Sequence, residues 1–285
     1  MSSAAFPEIV AMGRPILSAV PEPSGAEGGR PHADRFRLDG RVALVTGASR
    51  GIGSAIAEAL AEQGAQVVIS SRKQADLDAE SERINARFPE KTVAIAAHAG
   101  KTEDLQHLVD EAMSRFSRID ILVNNAATNP FFGPVLGADL AAWDKTFEVN
   151  VRGIFQLTKL VYEASMERNG GAVINIASTG GIRPGLGLGV YNVTKAAVIH
   201  LTRQLALELG GKVRVNAVAP GLIKTRFAEA LWGNEAILER VLASNPMGRI
   251  GVPDEIAGAV AFLASDAASY INGEVIVIDG GGGVP

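Results

Sequence analysis

From Arg41 onward, short apolar runs of β type alternate with helical stretches, and this alternation restricts the fold more than any other feature. The runs fall at 42–45, 66–70, 92–96, 119–123, 172–176, 212–216 and 274–278. Val42-Ala43-Leu44-Val45 is apolar throughout, as a strand buried on both faces must be. Between the runs, helices are expected over 51–63, 74–87, 103–116 and 139–168, from about Tyr191 to Leu209, and from Pro253. Gly64 is placed to cap the first. Residues 224–244 read as helical but irregular. Seven strands separated by about six helices imply an α/β protein with a doubly wound, seven-stranded parallel sheet. No second domain boundary follows residue 40, so 38–285 is expected to be one domain.

The first 37 residues differ. They hold Pro7, Pro15, Pro21, Pro23 and Pro31 with little periodicity, which predicts a flexible extension over 1–37. A targeting peptide is the rival reading: Glu8, Glu22 and Glu27 and the lack of an apolar core segment argue against a secretory signal, a weak transit peptide stays open, and a cytoplasmic location is expected. A net charge of −4 and a pI near 5.7 give no basic surplus for nucleic acid or an anionic membrane. No apolar run reaches the roughly 18 residues of a membrane span. There are no cysteines, and the four histidines show no metal-ligand spacing, so no metal is expected.

In open α/β sheets ligands bind beyond the carboxyl ends of the strands, so the residues just after each strand carry the functional reading. After the first strand comes Thr46-Gly47-Ala48-Ser49-Arg50-Gly51-Ile52-Gly53. Glycines there let the backbone approach a pyrophosphate whose charge sits at the next helix N-terminus. After the second comes Ser70-Ser71-Arg72-Lys73. An acid in this place would bind an adenosine 2′-hydroxyl and select NAD(H). Ser71 and Arg72, with Arg50 across the loop, suit a 2′-phosphate instead, which points to NADP(H). Asn124-Asn125-Ala126-Ala127 follows the fourth strand, and its small residues allow close passage of a ribose. Ser178 follows the fifth, where its hydroxyl could donate to a carbonyl oxygen. Pro220-Gly221 redirects the chain after the sixth, and Thr225 could hydrogen-bond an amide. Asn150 lies among apolar neighbours in the long helix and must be hydrogen-bonded there, either as a structural group or by distorting the helix to hold a water. Tyr191 and Lys195 stand at i and i+4, on one helical face, where an ammonium would lower the phenol pKa toward working pH.

Taken in order and spacing, Thr46-Gly47-x3-Gly51-x-Gly53, Asn124-Asn125-Ala126, Asn150, Ser178, Tyr191-x3-Lys195 and Pro220-Gly221 resemble the classical short-chain dehydrogenase/reductases, from about Leu38 to Gly281. Ser70–Lys73, Asn129-Pro130-Phe131-Phe132-Gly133 and 219–225 with Leu231-Trp232 resemble the NADPH-dependent carbonyl and retinol reductases of that family. The resemblance implies a Rossmann-type three-layer αβα sandwich and an NADP(H)-dependent oxidoreductase. It makes Asn150, Ser178, Tyr191 and Lys195 the catalytic set. Tyr191 would give a proton to the developing alkoxide, Ser178 would hold the same oxygen, Lys195 would act on Tyr191 and the ribose, and Asn150 would hold a water linking Lys195 to solvent. Cofactor contacts are expected from Gly47, Ser49, Arg50, Gly51, Ile52, Gly53, Ser71, Arg72, Asn125, Ala126, Ala127, Tyr191, Lys195, Pro220, Gly221, Ile223 and Thr225. Two departures stand out: Ala127 replaces a usual glycine, and Ala97-His98-Ala99-Gly100 lacks the usual acid after the third strand.

Residues 222–250, with Leu222, Ile223, Phe227, Leu231, Trp232, Ile237, Leu238 and Met247, read as a lid over an apolar carbonyl substrate, facing Pro130, Phe131 and Phe132. The long helix is apolar on more than one face, which calls for a second cover. With the family resemblance, a homotetramer is expected. The alternatives are a 3-oxoacyl-[acyl-carrier-protein] reductase, which would need a basic entrance, and a non-catalytic NADP-binding sensor, which the joint presence of Ser178, Tyr191 and Lys195 disfavours.

Overall fold

Every residue of β1 (Val42–Thr46) is buried, and the same strand lies inside the sheet with a neighbour on each side. A computed structural model describes residues 31–283. Along the chain, β1 is followed by α1 (Gly51–Glu62), β2 (Gln66–Ser71), α2 (Gln74–Asn85), β3 (Thr92–Ala96), α3 (Thr102–Phe116) and β4 (Ile121–Asn124). Then come α4 (Leu140–Phe147), α5 (Gly153–Val161), α6 (Glu167–Asn169), β5 (Gly171–Ile176), α7 (Gly189–Leu209) and β6 (Val213–Pro220). The series ends with α8 (Glu229–Trp232), α9 (Glu235–Ala243), α10 (Pro253–Ala264) and β7 (Val275–Ile278).

All strand pairs are parallel, in the order β3-β2-β1-β4-β5-β6-β7. Parallel strands need crossovers, and the crossovers place helices on both faces. Leu60 of α1, Leu77 of α2 and Ile256 of α10 pack in one core with Val45. Leu108 of α3, Leu157 of α5 and Ala206 of α7 pack in the other with Leu44. Successive residues of one buried strand thus feed opposite cores, and the expected three-layer αβα sandwich results. Strand order reverses between β1 and β4, which opens a crevice at their carboxyl ends.

Gly64 follows α1 at φ +106°, the left-handed position that ends a helix without a Cβ penalty. The long helix expected over 139–168 is not uniform. Wide, π-type turns over Glu148–Arg152 and Tyr162–Met166 interrupt it. At the first, Asn150 turns inward and its amide is drawn to three partners, which a regular turn would not reach. The irregular stretch resolves into a 3₁₀ turn (Arg226–Ala228), α8 and α9.

Of the expected extension 1–37, residues 1–30 lie outside the described residues. The described remainder contains a 3₁₀ turn, His32–Phe36, whose Phe36 ring lies 6.2 Å from that of Phe262. Among the described residues no helix is long and apolar enough to cross a membrane, and no cluster of His, Asp or Glu could hold a metal.

Candidate active site

A cavity of about 1700 Å³ opens at the carboxyl ends of the strands. All the expected site residues line it except Asn150.

The glycine turn after β1 is shaped by what it excludes. Gly47 and Gly51 take left-handed backbone, at φ +65° and +62°. A Cβ on Gly53 would lie 2.3 Å from the Gly47 carbonyl oxygen, so nothing larger fits. Asn125 fixes the turn from the side: its Nδ2 donates to the carbonyls of Thr46 (2.9 Å) and Gly47 (3.1 Å). The Thr46 hydroxyl accepts from the amides of Asn125 (3.0 Å) and Ala126 (3.1 Å). Helix α1 then starts with no side chain capping it, which leaves its first amides directed at the cavity mouth. Ala127 is not in left-handed backbone, so its methyl costs no strain.

At the neighbouring strand ends, Arg50 and Arg72 are exposed on the cavity wall and make no side-chain hydrogen bond or ion pair with a described residue. His98, beyond β3, also lines the wall, as does Lys145 of α4. The imidazole Nδ1 accepts from the Gly100 amide at 3.0 Å, and Nε2 lies 3.4 Å from Lys145 Nζ. Lys145 is itself held by Glu148 at 2.9 Å. Burial and then the Lys145 and Arg72 charges push the His98 pKa down. Sequence reading saw only the absence of an acid here. His98 was visible at a strand end, but nothing in the sequence joined it to Lys145.

Helix α7 begins two residues before Tyr191, so Tyr191 and Lys195 face the cavity on its first turns. Lys195 is 1% exposed, and its ammonium donates to the Ile176 carbonyl at 2.7 Å and stands 5.5 Å from the Tyr191 ring centroid. Ser178 caps the turn after β5 and hydrogen-bonds Tyr191. The electrostatics differ from expectation. Burial pushes the Tyr191 phenol up, the Ser178 hydrogen bond draws it part of the way back, and Lys195 is not among the causes. Depth of burial therefore outweighs the nearby ammonium, which is itself bonded to a backbone carbonyl. Burial also pushes Lys195 down, to about 8.

Asn150 stands apart from these three. Fully buried behind the cavity wall, it accepts from the Thr128 amide (2.8 Å) and donates to the Thr128 carbonyl (2.9 Å) and the Thr194 hydroxyl (3.1 Å). Thr194 in turn donates to the Tyr191 carbonyl at 2.7 Å. Both Nδ2 hydrogens therefore serve to fix the start of α7 and the loop after β4. Through these bonds Asn150 positions the first turns of α7. Asn124 behaves similarly, tying β4 to β5 through Asn175 (2.9 Å) and to α5 through Thr158 (3.1 Å).

Beyond β6, Pro220, Gly221, Ile223 and Thr225 reach the cavity. The Thr225 methyl lies 3.4 Å from where a Gly51 Cβ would stand, so the lid segment meets the glycine turn. The Thr225 hydroxyl accepts from the Ala228 amide at 3.3 Å. Phe227 brings its ring within 5.9 Å of Tyr191, and Leu222, Leu231 and Ile237 line the cavity beside it. Trp232, Leu238 and Met247 do not. Trp232 points its indole N–H to the Thr225 carbonyl at 2.8 Å and closes the lid's own loop. On the opposite wall only Phe132 faces the cavity; the Phe131 ring packs over Gly133 and Gly137 instead.

The chain is similar in sequence and in fold to known proteins. A sequence family described as Enoyl-(Acyl carrier protein) reductase matches residues 47–282. Dehydrogenase/reductase SDR family member 4 of Caenorhabditis elegans is 45% identical over 249 residues, covering 86% of this chain and 96% of that protein. The Oryctolagus cuniculus protein of the same name is 46% identical, covering 87% and 95%. Among solved structures, a short-chain type dehydrogenase/reductase from Mycobacterium marinum superposes with a TM-score of 0.84 at 35% identity, over 90% of this chain and all of that one. A gluconate 5-dehydrogenase from Burkholderia cenocepacia J2315, in complex with NADP and tartrate, superposes at 0.83 with 34% identity, over 87% and 97%.

Proposed function

The chain belongs to the short-chain dehydrogenase/reductase family of nicotinamide-dependent oxidoreductases, and from that premise we propose that it is an NADP(H)-dependent reductase of a carbonyl group on a largely apolar substrate. The observation that carries the reading is convergence. Ser178, Tyr191 and Lys195 reach one cavity whose other arm is a glycine cradle that a single Cβ would fill.

The residues present fit a dinucleotide. Gly47, Ser49, Arg50, Gly51, Ile52 and Gly53 would hold its pyrophosphate at the uncapped start of α1. Asn125, Ala126 and Ala127 would pass beside a ribose, and Pro220, Gly221, Ile223 and Thr225 would hold the carboxamide end. Arg50, Ser71 and Arg72 favour the phosphorylated form, since two unpaired guanidinium groups suit a dianion and no acid stands at the end of β2. The solved gluconate 5-dehydrogenase bound to NADP supports the same choice.

When bound, the reduced nicotinamide supplies the hydride that reaches the carbonyl carbon. Ser178 donates to the carbonyl oxygen and stabilises its growing charge. Tyr191 transfers its phenolic proton to that oxygen, which completes the alcohol. Its raised pKa suits this role, because burial keeps the proton on the phenol until a stronger base forms beside it. Lys195, still mostly charged at neutral pH with a pKa about 8, stands below the ring as the next cation inward. Asn150 fixes α7 through Thr194 so that the phenol keeps its aim.

Phe227, Leu231 and Ile237 support an apolar substrate body. A groove lined by Phe147, Val151, Phe155 and Leu201 runs along the outer faces of the long helix and α7, and Phe155 is 46% exposed. That surface supports assembly of subunits through these helices, as in a homotetramer. The matched family's description makes an acyl-carrier thioester the second reading of the substrate. NADPH oxidation across ketones, aldehydes, quinones and a β-ketoacyl thioester tests both. Turnover of several free carbonyls supports the main reading, and turnover of the thioester alone supports the second. Tyr191→Phe should bind NADPH normally and lose roughly 10²–10⁴-fold in turnover. Wild-type turnover in that variant removes the phenol from the mechanism.

A further inference from the structure

The protein is acidic overall, with a net charge of −4, yet the substrate side of its cavity has the opposite sign. Arg183, Lys224, Arg226 and Arg240 line that side against one lining carboxylate, Asp279. They come from separate places in the chain: the loop after Ser178, the segment that follows β6, the 3₁₀ turn that carries Phe227, and α9 one turn beyond Ile237. Each cation therefore alternates with an apolar side chain that also lines the cavity.

Elsewhere the protein neutralises many of its arginines. Arg37, Arg41, Arg83, Arg118 and Arg249 each pair with a carboxylate. Arg183, Arg226 and Arg240 make no side-chain hydrogen bond or ion pair with a described residue. In this they match Arg50 and Arg72 on the cofactor side, whose partner is an anion in the reading above. The dinucleotide's phosphates belong at the start of α1 and the end of β2, and none of the other three lies on either segment. A cleft of one sign between apolar walls concentrates ligands of the other sign.

We propose that the carbonyl substrate carries an anionic group, a carboxylate or a phosphate, on its apolar body, and that Arg183, Arg226 and Arg240 receive it. The inference rests on the carbonyl reductase reading and narrows its substrate class. Planar guanidinium groups from three segments suit the oxygen fork of either anion.

Matched pairs that differ only in charge test it with NADPH and the full chain. One pair is a medium-chain oxo acid and its methyl ester. The other is a 3-oxoacyl pantetheine 4′-phosphate and the same 3-oxoacyl pantetheine without the phosphate. The anionic member of at least one pair should have kcat/KM about tenfold or more above its neutral partner. The first pair identifies a carboxylate and the second a phosphate. The gap should shrink with added salt, and shrink further in the Arg183→Gln, Arg226→Gln, Arg240→Gln triple variant. Equal rates within both pairs, or a preference the triple variant retains in full, overturn the proposal. If no carbonyl compound, charged or neutral, is reduced although NADPH binds, the reductase reading itself fails and takes this inference with it. Reduction without charge preference sinks this inference alone.

Discussion

The two arms of the cavity are built on different principles. The cofactor arm is held by the sheet: strand ends, the Thr46–Asn125–Gly47 hydrogen bonds, and glycines with no room for a Cβ. The substrate arm is held mostly by itself. Its 3₁₀ turn and two short helices contain no fully buried residue, and Phe227 is 55% exposed. The first arm is a preformed mould, and the second, in the reading proposed above, is a flap held by a few local bonds. Binding of an invariant group needs preorganisation, whereas the lid has to admit and release a substrate.

Glycine substitution should separate the two most sharply. Gly53→Val puts carbon against the Gly47 carbonyl, so NADPH titration should show no saturation while the melting transition stays cooperative. Gly248→Ala, in the lid segment at φ +64° with nothing within 4 Å of its Cβ, should cost only about 1–2 kcal/mol of stability and leave NADPH affinity intact. Tight NADPH binding by the first variant, or its loss in the second, would erase the distinction. A smaller effect is expected from Arg72→Asp. Loss of a charged hydrogen bond worth about 1.5–3 kcal/mol should weaken NADPH roughly 10- to 100-fold with little change for NADH, measured by titration of each. An unchanged ratio would take Arg72 away from the 2′-phosphate.

The same contrast explains what was legible in the sequence. Strands, the glycine turn and the Tyr191–Lys195 pair depend on local spacing, and their positions follow from the residues alone. Three features depend on contacts between distant segments and did not. Asn150 was recognisable as a buried polar group, but its partners Thr128 and Thr194 are 22 and 44 residues away, so its place behind the wall was hidden. His98 and Lys145 meet across 47 residues. In the lid and in the 130–132 stretch, apolar residues face inward or outward without a regular period, so Trp232 and Phe131 read the same as Phe227 and Phe132, which do line the cavity. The Tyr191 pKa direction was misjudged for another reason: spacing showed the nearby charge but not the depth of burial, and burial is the larger effect.

Protonation at the junction of the two arms gives a further test. Lys195 has its pKa lowered from 10.5 to about 8, so its charged form is present below that pH and lost above it. In alcohol oxidation Tyr191 must give up its phenolic proton before it can take the alcohol's, and neutral Lys195 is a base that can receive it. The oxidation rate should therefore rise by up to roughly tenfold per unit as pH approaches 8 and level off beyond. In reduction burial keeps the phenol protonated throughout, and the charged Lys195 can replace the proton that Tyr191 gives up, so the rate should stay flat below 8 and fall above as that charge is lost. Lys195→Met should lose the inflection in both directions. An inflection that persists in that variant assigns it to another group.

The smallest expected effect reaches the flap alone. The Trp232 indole N–H to Thr225 carbonyl bond ties α8 back to the segment that meets Gly51. Trp232→Phe keeps an aromatic ring and removes that one donor, at a cost of about 1 kcal/mol, or roughly fivefold in the population of the closed lid. Because the ring does not line the cavity, the loss should appear as a raised substrate KM with NADPH affinity unmoved. Thr225 gives the outcome its meaning. It lies on the lid yet touches the glycine turn, so if NADPH affinity falls in step with KM, lid and mould close as one body and the division between them fails.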